Sequence, residues 1–139
     1  MPLAFLPALH IFTVYRSVPV SQPAPQIHDL ATLAAASASD AAATGPIWSL
    51  ASADLNLNLL HFTNGDGVPD HVNGEVDVVG LVIAGTGTVE MDGRAEALRP
   101  GCLFFIPKGA RRAIRAASDD FAYLTCHRRR AGLMPTRRG

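Results

Sequence analysis

From residue 47 onward the chain is broken into short apolar or alternating runs, each closed by turn-forming Gly, Pro, Asn, Asp or Ser residues. Such runs bury a face at every second residue, the period of a strand, and their regular interruption is the signature of an all-β sandwich or barrel. Strands are predicted at 47–50, 55–62, 76–84, 88–91, 102–106, 113–116 and 121–127. In the second of these, Leu55, Leu57, Leu59 and His61 share one face and Asn56, Asn58 and Leu60 the other. The stretch 76–84 is apolar on both faces, which predicts a central strand covered on two sides. Asp92-Gly93 is a two-residue hairpin signal, Pro100-Gly101 suits the middle of a type II turn, and Ser118-Asp119-Asp120 closes the last hairpin. Before the strands, Asp29 is a helix N-cap for a short helix from Leu30 to about residue 36.

A chain of 139 residues with 48% hydrophobic and 17% charged residues is expected to fold around one modest core. The organisation read from it is an N-terminal extension with helix and linker at 1–46, a β domain at 47–130 and a basic tail at 131–139. Pro2, Pro7, Pro19, Pro23 and Pro25 mark residues 1–26 as a tethered extension or an extra edge strand. The apolar stretch 3–15 lacks a basic flank, is interrupted by Pro7 and His10 and is too short to span a bilayer, so neither a membrane segment nor a signal peptide is expected. Cys102 and Cys126 fall in predicted strands, which suits buried thiols and a reducing, cytoplasmic compartment. Formal charge is zero, yet residues 1–107 hold three Arg against ten acids and residues 108–139 nine basic residues against Asp119 and Asp120. The two parts should attract each other; without aromatic residues interleaved in the basic run, no nucleic-acid partner is expected.

Gly65 followed after five residues by His71, with Gly85 beyond, forms one spaced pattern; Gly101, five residues, Pro107, one residue and Gly109 form a second. In this order the two patterns resemble the paired motifs of the cupin superfamily, with the resemblance running over roughly 55–127. It implies an antiparallel β-barrel of jelly-roll type, a homodimer paired through its sheets, and a divalent transition metal such as iron, manganese, zinc or nickel inside the barrel. In the family, two His and a Glu of the first motif and a His of the second bind that metal. The corresponding positions here are His71, Asn73, Val78 and Arg112, with Asp77 as the acidic alternative if the frame shifts by one.

Metal sites of these kinds use imidazoles and carboxylates, whereas an arginine stays protonated and repels a cation. Arg112 must therefore find an anion if it points inward, either an internal carboxylate such as Glu75 or Asp77 or the anionic group of a ligand. The alternation of Arg111, Arg112 and Arg115 also permits it to face solvent. If extended, the run 71–77 stacks His71, Asn73, Glu75 and Asp77 on one face, with His71 a metal ligand or general base and Glu75 or Asp77 orienting it. The alternative is a polar loop held by local hydrogen bonds. His61 joins the site if the leucine face of its strand points into the barrel, and His127, next to three arginines, is expected on the solvent side.

Three functions follow as expectations. The first is binding of a small, anionic molecule with no tightly held metal, by Arg112, Asn73, Glu75, Asp77 and His61. The second is a metal-dependent dioxygenase or isomerase with His71, Asn73 and Asp77 as ligands. The third is a metal-free isomerase with His71 as base. No phosphate-binding glycine loop, Cys-x-x-Cys or Gly-x-Ser-x-Gly pattern points elsewhere.

Overall fold

The computed structural model describes residues 23–40 and 42–130. The extension before residue 23 and the basic tail 131–139 lie outside them. Helix α1 spans Leu30–Ala38, and the strands are β1 (Gly45–Ala51), β2 (Leu55–Phe62), β3 (Gly67–Val72), β4 (Val78–Ala84), β5 (Gly87–Met91), β6 (Arg94–Leu98), β7 (Leu103–Ile106), β8 (Arg111–Ala116) and β9 (Phe121–Arg128). They form two antiparallel sheets, ordered β1-β2-β9-β4-β7 and β3-β8-β5-β6, which pack face to face as a jelly roll.

The turns follow from local chemistry. Asp92 and Gly93 both take positive φ (49° and 86°), the conformation a two-residue hairpin needs to match the twist of β5 and β6. Gly101 at φ 90° lets Cys102 N–H close on Arg99 O at 3.0 Å, as a type II turn requires. Asp29 caps α1 by accepting from Thr32 N at 3.1 Å. Strand β3 was not predicted, because Gly67, Pro69 and Asp70 read as loop; it lies at a sheet edge, where Pro69's missing N–H leaves no ladder bond broken.

Between the sheets lies the main core, with Phe62, Val82, Val89, Phe104, Ile106, Ile114, Phe121 and Tyr123 at its centre. A second cluster lies on the outer face of the larger sheet, where Ala34 of α1 meets Leu59 and Ala122. Burying Leu59 completely there contributes on the order of 2 kcal/mol. The parity of β2 is thereby settled. Its leucine face, with His61, turns outward to the helix, and Asn58, Leu60 and Phe62 turn inward.

Candidate functional site

A pocket of about 270 Å³ opens between the two sheets at one end of the core. Its apolar wall is Leu60, Val78, Phe104, Ile106 and Ile114, and its polar groups are Asn58, His71, Asn73, Arg112, Tyr123, Thr125, His127 and Arg130. None of the lining residues is Asp or Glu.

The turn after β7 sets one side of the pocket. Ala110 N–H returns to Pro107 O at 3.2 Å, with Gly109 at φ 88°. Two other N–H groups of this turn hold the β3–β4 loop: Gly109 N–H donates to Asn73 O at 2.8 Å, and Lys108 N–H donates to Asp77 Oδ1 at 2.9 Å. Strand β8 then begins with alternation that sends Arg112, Ile114 and Ala116 inward and leaves Arg111 and Arg115 outside. Asp70 accepts an ion pair from Arg111 at 2.9 Å, and Arg115 donates to Gly65 O at 2.9 Å.

Arg112 is only 5% exposed, and its one side-chain hydrogen bond among the described residues is from Nη1 to Ala110 O at 3.3 Å. No carboxylate among the described residues pairs with it. The expected internal lock to Glu75 or Asp77 is absent for a geometric reason. The chain leaves extended conformation after Val72, so the run 71–77 does not stack its polar side chains on one face. Glu75 is instead exposed, its Oε1 lying 3.8 Å from Arg130 Nε, and it borders a recess beside the pocket with His71 and Asn73. Asp77 caps the Lys108 turn and lies outside the pocket, whereas Val78 takes the inward position. Burial, and then the nearby charge of Arg130, pulls the Arg112 guanidinium below its ordinary pKa. Among the described residues it has no counter-charge.

His71 lies opposite Arg112 in the β3–β8 register and lines the pocket. Its Nδ1–H donates to Pro69 O at 2.8 Å, which assigns the free lone pair to Nε2. Asn73 is 9% exposed and its Oδ1 accepts Glu75 N–H at 2.8 Å, a local loop bond that fixes the side chain at the pocket wall. The two other candidate histidines, His61 and His127, exchange their expected places. His61 is buried on the helix side, donating from Nδ1 to Ala43 O at 2.7 Å, with Nε2 enclosed and unpaired among the described residues; it is not in the pocket. His127 is, because β9 alternates Phe121, Tyr123, Thr125 and His127 on its inner face. That signal was present in the sequence, since two aromatics on a face mark it as the core side.

The residues do not fit the family's metal. A buried guanidinium and the methyl groups of Val78 occupy two of the four ligand positions, and Asn73 occupies a third. No group of three His, Cys, Asp or Glu side chains among the described residues is arranged to hold a metal ion.

No curated protein matches the chain. Among solved structures, KdgF from Halomonas sp. is 25% identical, with a TM-score of 0.58 over 63% of this chain and 81% of that one. A protein of Bacillus halodurans is 16% identical, with a TM-score of 0.63 over 82% of this chain and 88% of the other. One from Thermus thermophilus is 24% identical, with a TM-score of 0.61 over 77% and 100%. These last two bear on the fold alone. The family model described as Cupin domain matches residues 58–127, half of the chain. That stretch runs from the inward-facing Asn58 to the inward-facing His127 and contains both glycine-framed turns. The chain therefore belongs to the cupin superfamily.

Proposed function

We propose that this cupin binds a small anionic organic molecule in the pocket between its sheets, through Arg112 and without a divalent metal at the family's ligand positions. Arg112 carries the reading: it is a nearly buried guanidinium, without a carboxylate partner among the described residues, in a pocket whose described lining has no acid. A charge so placed is costly unless an anion completes it. Arg130 adds a second guanidinium to the wall, and the apolar side chains suit an organic rather than an inorganic anion. The test is calorimetric titration of the purified protein with hexanoate, in the presence and absence of EDTA. Binding that EDTA leaves unchanged is expected. Binding abolished by EDTA, or stoichiometric iron, zinc, nickel or manganese in protein prepared without chelator, rejects it.

His71 favours a second reading, proton transfer at the bound molecule, because its Nδ1–H is held by Pro69 O and Nε2 is left as a base at the pocket wall. Asp77, bound to Lys108 N–H, takes no part in orienting it. An oxo acid incubated with the protein in D2O should exchange its carbon-bound protons next to the carbonyl faster than in buffer, and His71→Gln should remove the excess. Exchange at the buffer rate excludes this chemistry.

We further infer a homodimer through the outer face of the larger sheet, where Leu55, Val79, Leu103 and Phe105 are 46%, 38%, 65% and 50% exposed. Light scattering at micromolar concentration should give twice the chain mass; a monomer rejects it. The free thiols of Cys102 and Cys126 suit a reducing compartment such as the cytoplasm.

A further inference from the structure

Tyr123 stands on the inner face of β9, and its ring is held by Phe62, Phe104 and Phe121 at centroid distances of 6.3, 5.8 and 5.2 Å. The residue is 1% exposed, and its phenol has no hydrogen-bond partner among the described residues. It is not sealed away, however, for Tyr123 lines the pocket and its oxygen is not among the enclosed unpaired atoms. Phenylalanine would meet the same three aromatic neighbours as well, so the hydroxyl adds nothing to the packing. Its hydrogen bond can therefore come only from the pocket side, from water or from an oxygen of the ligand. Burial raises the phenol's pKa, so near neutral pH the hydroxyl is a donor.

Arg112 enters the same pocket from the opposite sheet, and Val78, Ile106 and Ile114 supply apolar wall. The site thus offers a cation, an apolar wall and a neutral hydroxyl donor. We propose that the ligand is a small carboxylate carrying a second, uncharged oxygen, a carbonyl or hydroxyl on an aliphatic or aromatic frame. Its carboxylate meets Arg112 and its second oxygen accepts from the Tyr123 hydroxyl. This rests on the anion reading above and adds the second contact to it.

The experiment compares hexanoate with its oxo derivatives, the carbonyl moved to successive carbons, by calorimetry on the full chain and on Tyr123→Phe. At least one oxo acid should bind roughly tenfold tighter than hexanoate, the worth of one hydrogen bond to a buried donor. In Tyr123→Phe that preference, read as the ratio of the two affinities on the same variant, should shrink to within about twofold, with hexanoate still binding measurably to report a folded pocket. A wild-type protein that binds hexanoate with no preference for any oxo derivative overturns this proposal and leaves the anion reading standing. So does a preference that survives in Tyr123→Phe. Failure of every acid to bind the wild type overturns both.

Discussion

Replacing Arg112 by Met tests whether the pocket is built around an uncompensated charge. In the free protein the guanidinium is 5% exposed, makes one long hydrogen bond to Ala110 O at 3.3 Å and is repelled by Arg130. Methionine keeps the bulk of the side chain and removes the charge. The lost hydrogen bond costs under about 1.5 kcal/mol. Against it stands the relief of a buried, unpaired cation, and replacements of buried charges by apolar side chains run from neutral to about 4 kcal/mol stabilising. The net expectation is a free protein unchanged or stabilised by up to about 2 kcal/mol, or a Tm raised by up to roughly 8 °C for a chain of this length. Ligand binding should move the other way: losing the charged partner of a buried carboxylate costs about 2 kcal/mol or more, at least roughly 30-fold in hexanoate affinity. Calorimetric unfolding and hexanoate titration of the same preparations read both quantities. A loss of roughly 3 to 5 kcal/mol in the free protein would mean that a carboxylate pairs with Arg112 after all, and would refute the reasoning.

Three further outcomes follow from individual contacts. His61→Leu loses one hydrogen bond to Ala43 O but also an enclosed, unpaired Nε2, so unfolding free energy should change by less than about 1.5 kcal/mol and hexanoate affinity should not change; a drop in affinity would return His61 to the pocket. At Gly80 an added Cβ would lie 2.1 to 2.5 Å from the ring of Phe104, so Gly80→Ala should destabilise by about 1 to 3 kcal/mol in urea unfolding and alter hexanoate affinity; an unperturbed variant would show that this wall yields freely. Burial raises the Tyr123 pKa above its unfolded value, so this group's contribution is whole below about pH 10 and is lost as pH rises above it, at up to about 1.4 kcal/mol per pH unit. Urea unfolding at about pH 9 and pH 11 should show that loss in the wild type and a smaller one in Tyr123→Phe; equal losses would refute the assignment.

Much of the scaffold was legible because its signals are local. The period of two, the Asp92-Gly93 hairpin and the turns at Gly101 and Gly109 each depend on a few neighbouring residues and their allowed backbone angles. Gly85 shows how a spacing motif reports a physical need: at φ 71° its missing Cβ leaves room for Phe121 Cα, which would lie 2.6 Å away from one. The direction of Arg112 was half legible, since alternation allowed inside or outside and only the core-facing Ile114 beside it selects the first.

The remainder of the site was decided by tertiary structure. An apolar strand face says that something covers it, not what, and for β2 the cover is α1 rather than the barrel interior; His61 therefore went one way and Asn58 the other. The break after Val72 depends on Lys108 and Gly109 N–H groups from a distant turn, which hold Asp77 and Asn73 and release Glu75 and Asp77 from the pocket. Residues 58–127 by themselves thus determined the family and the loss of its ligand types. Only the packing of the two sheets brought Arg112 and Tyr123 into one pocket without an acid, because that juxtaposition depends on contacts between strands far apart in the chain.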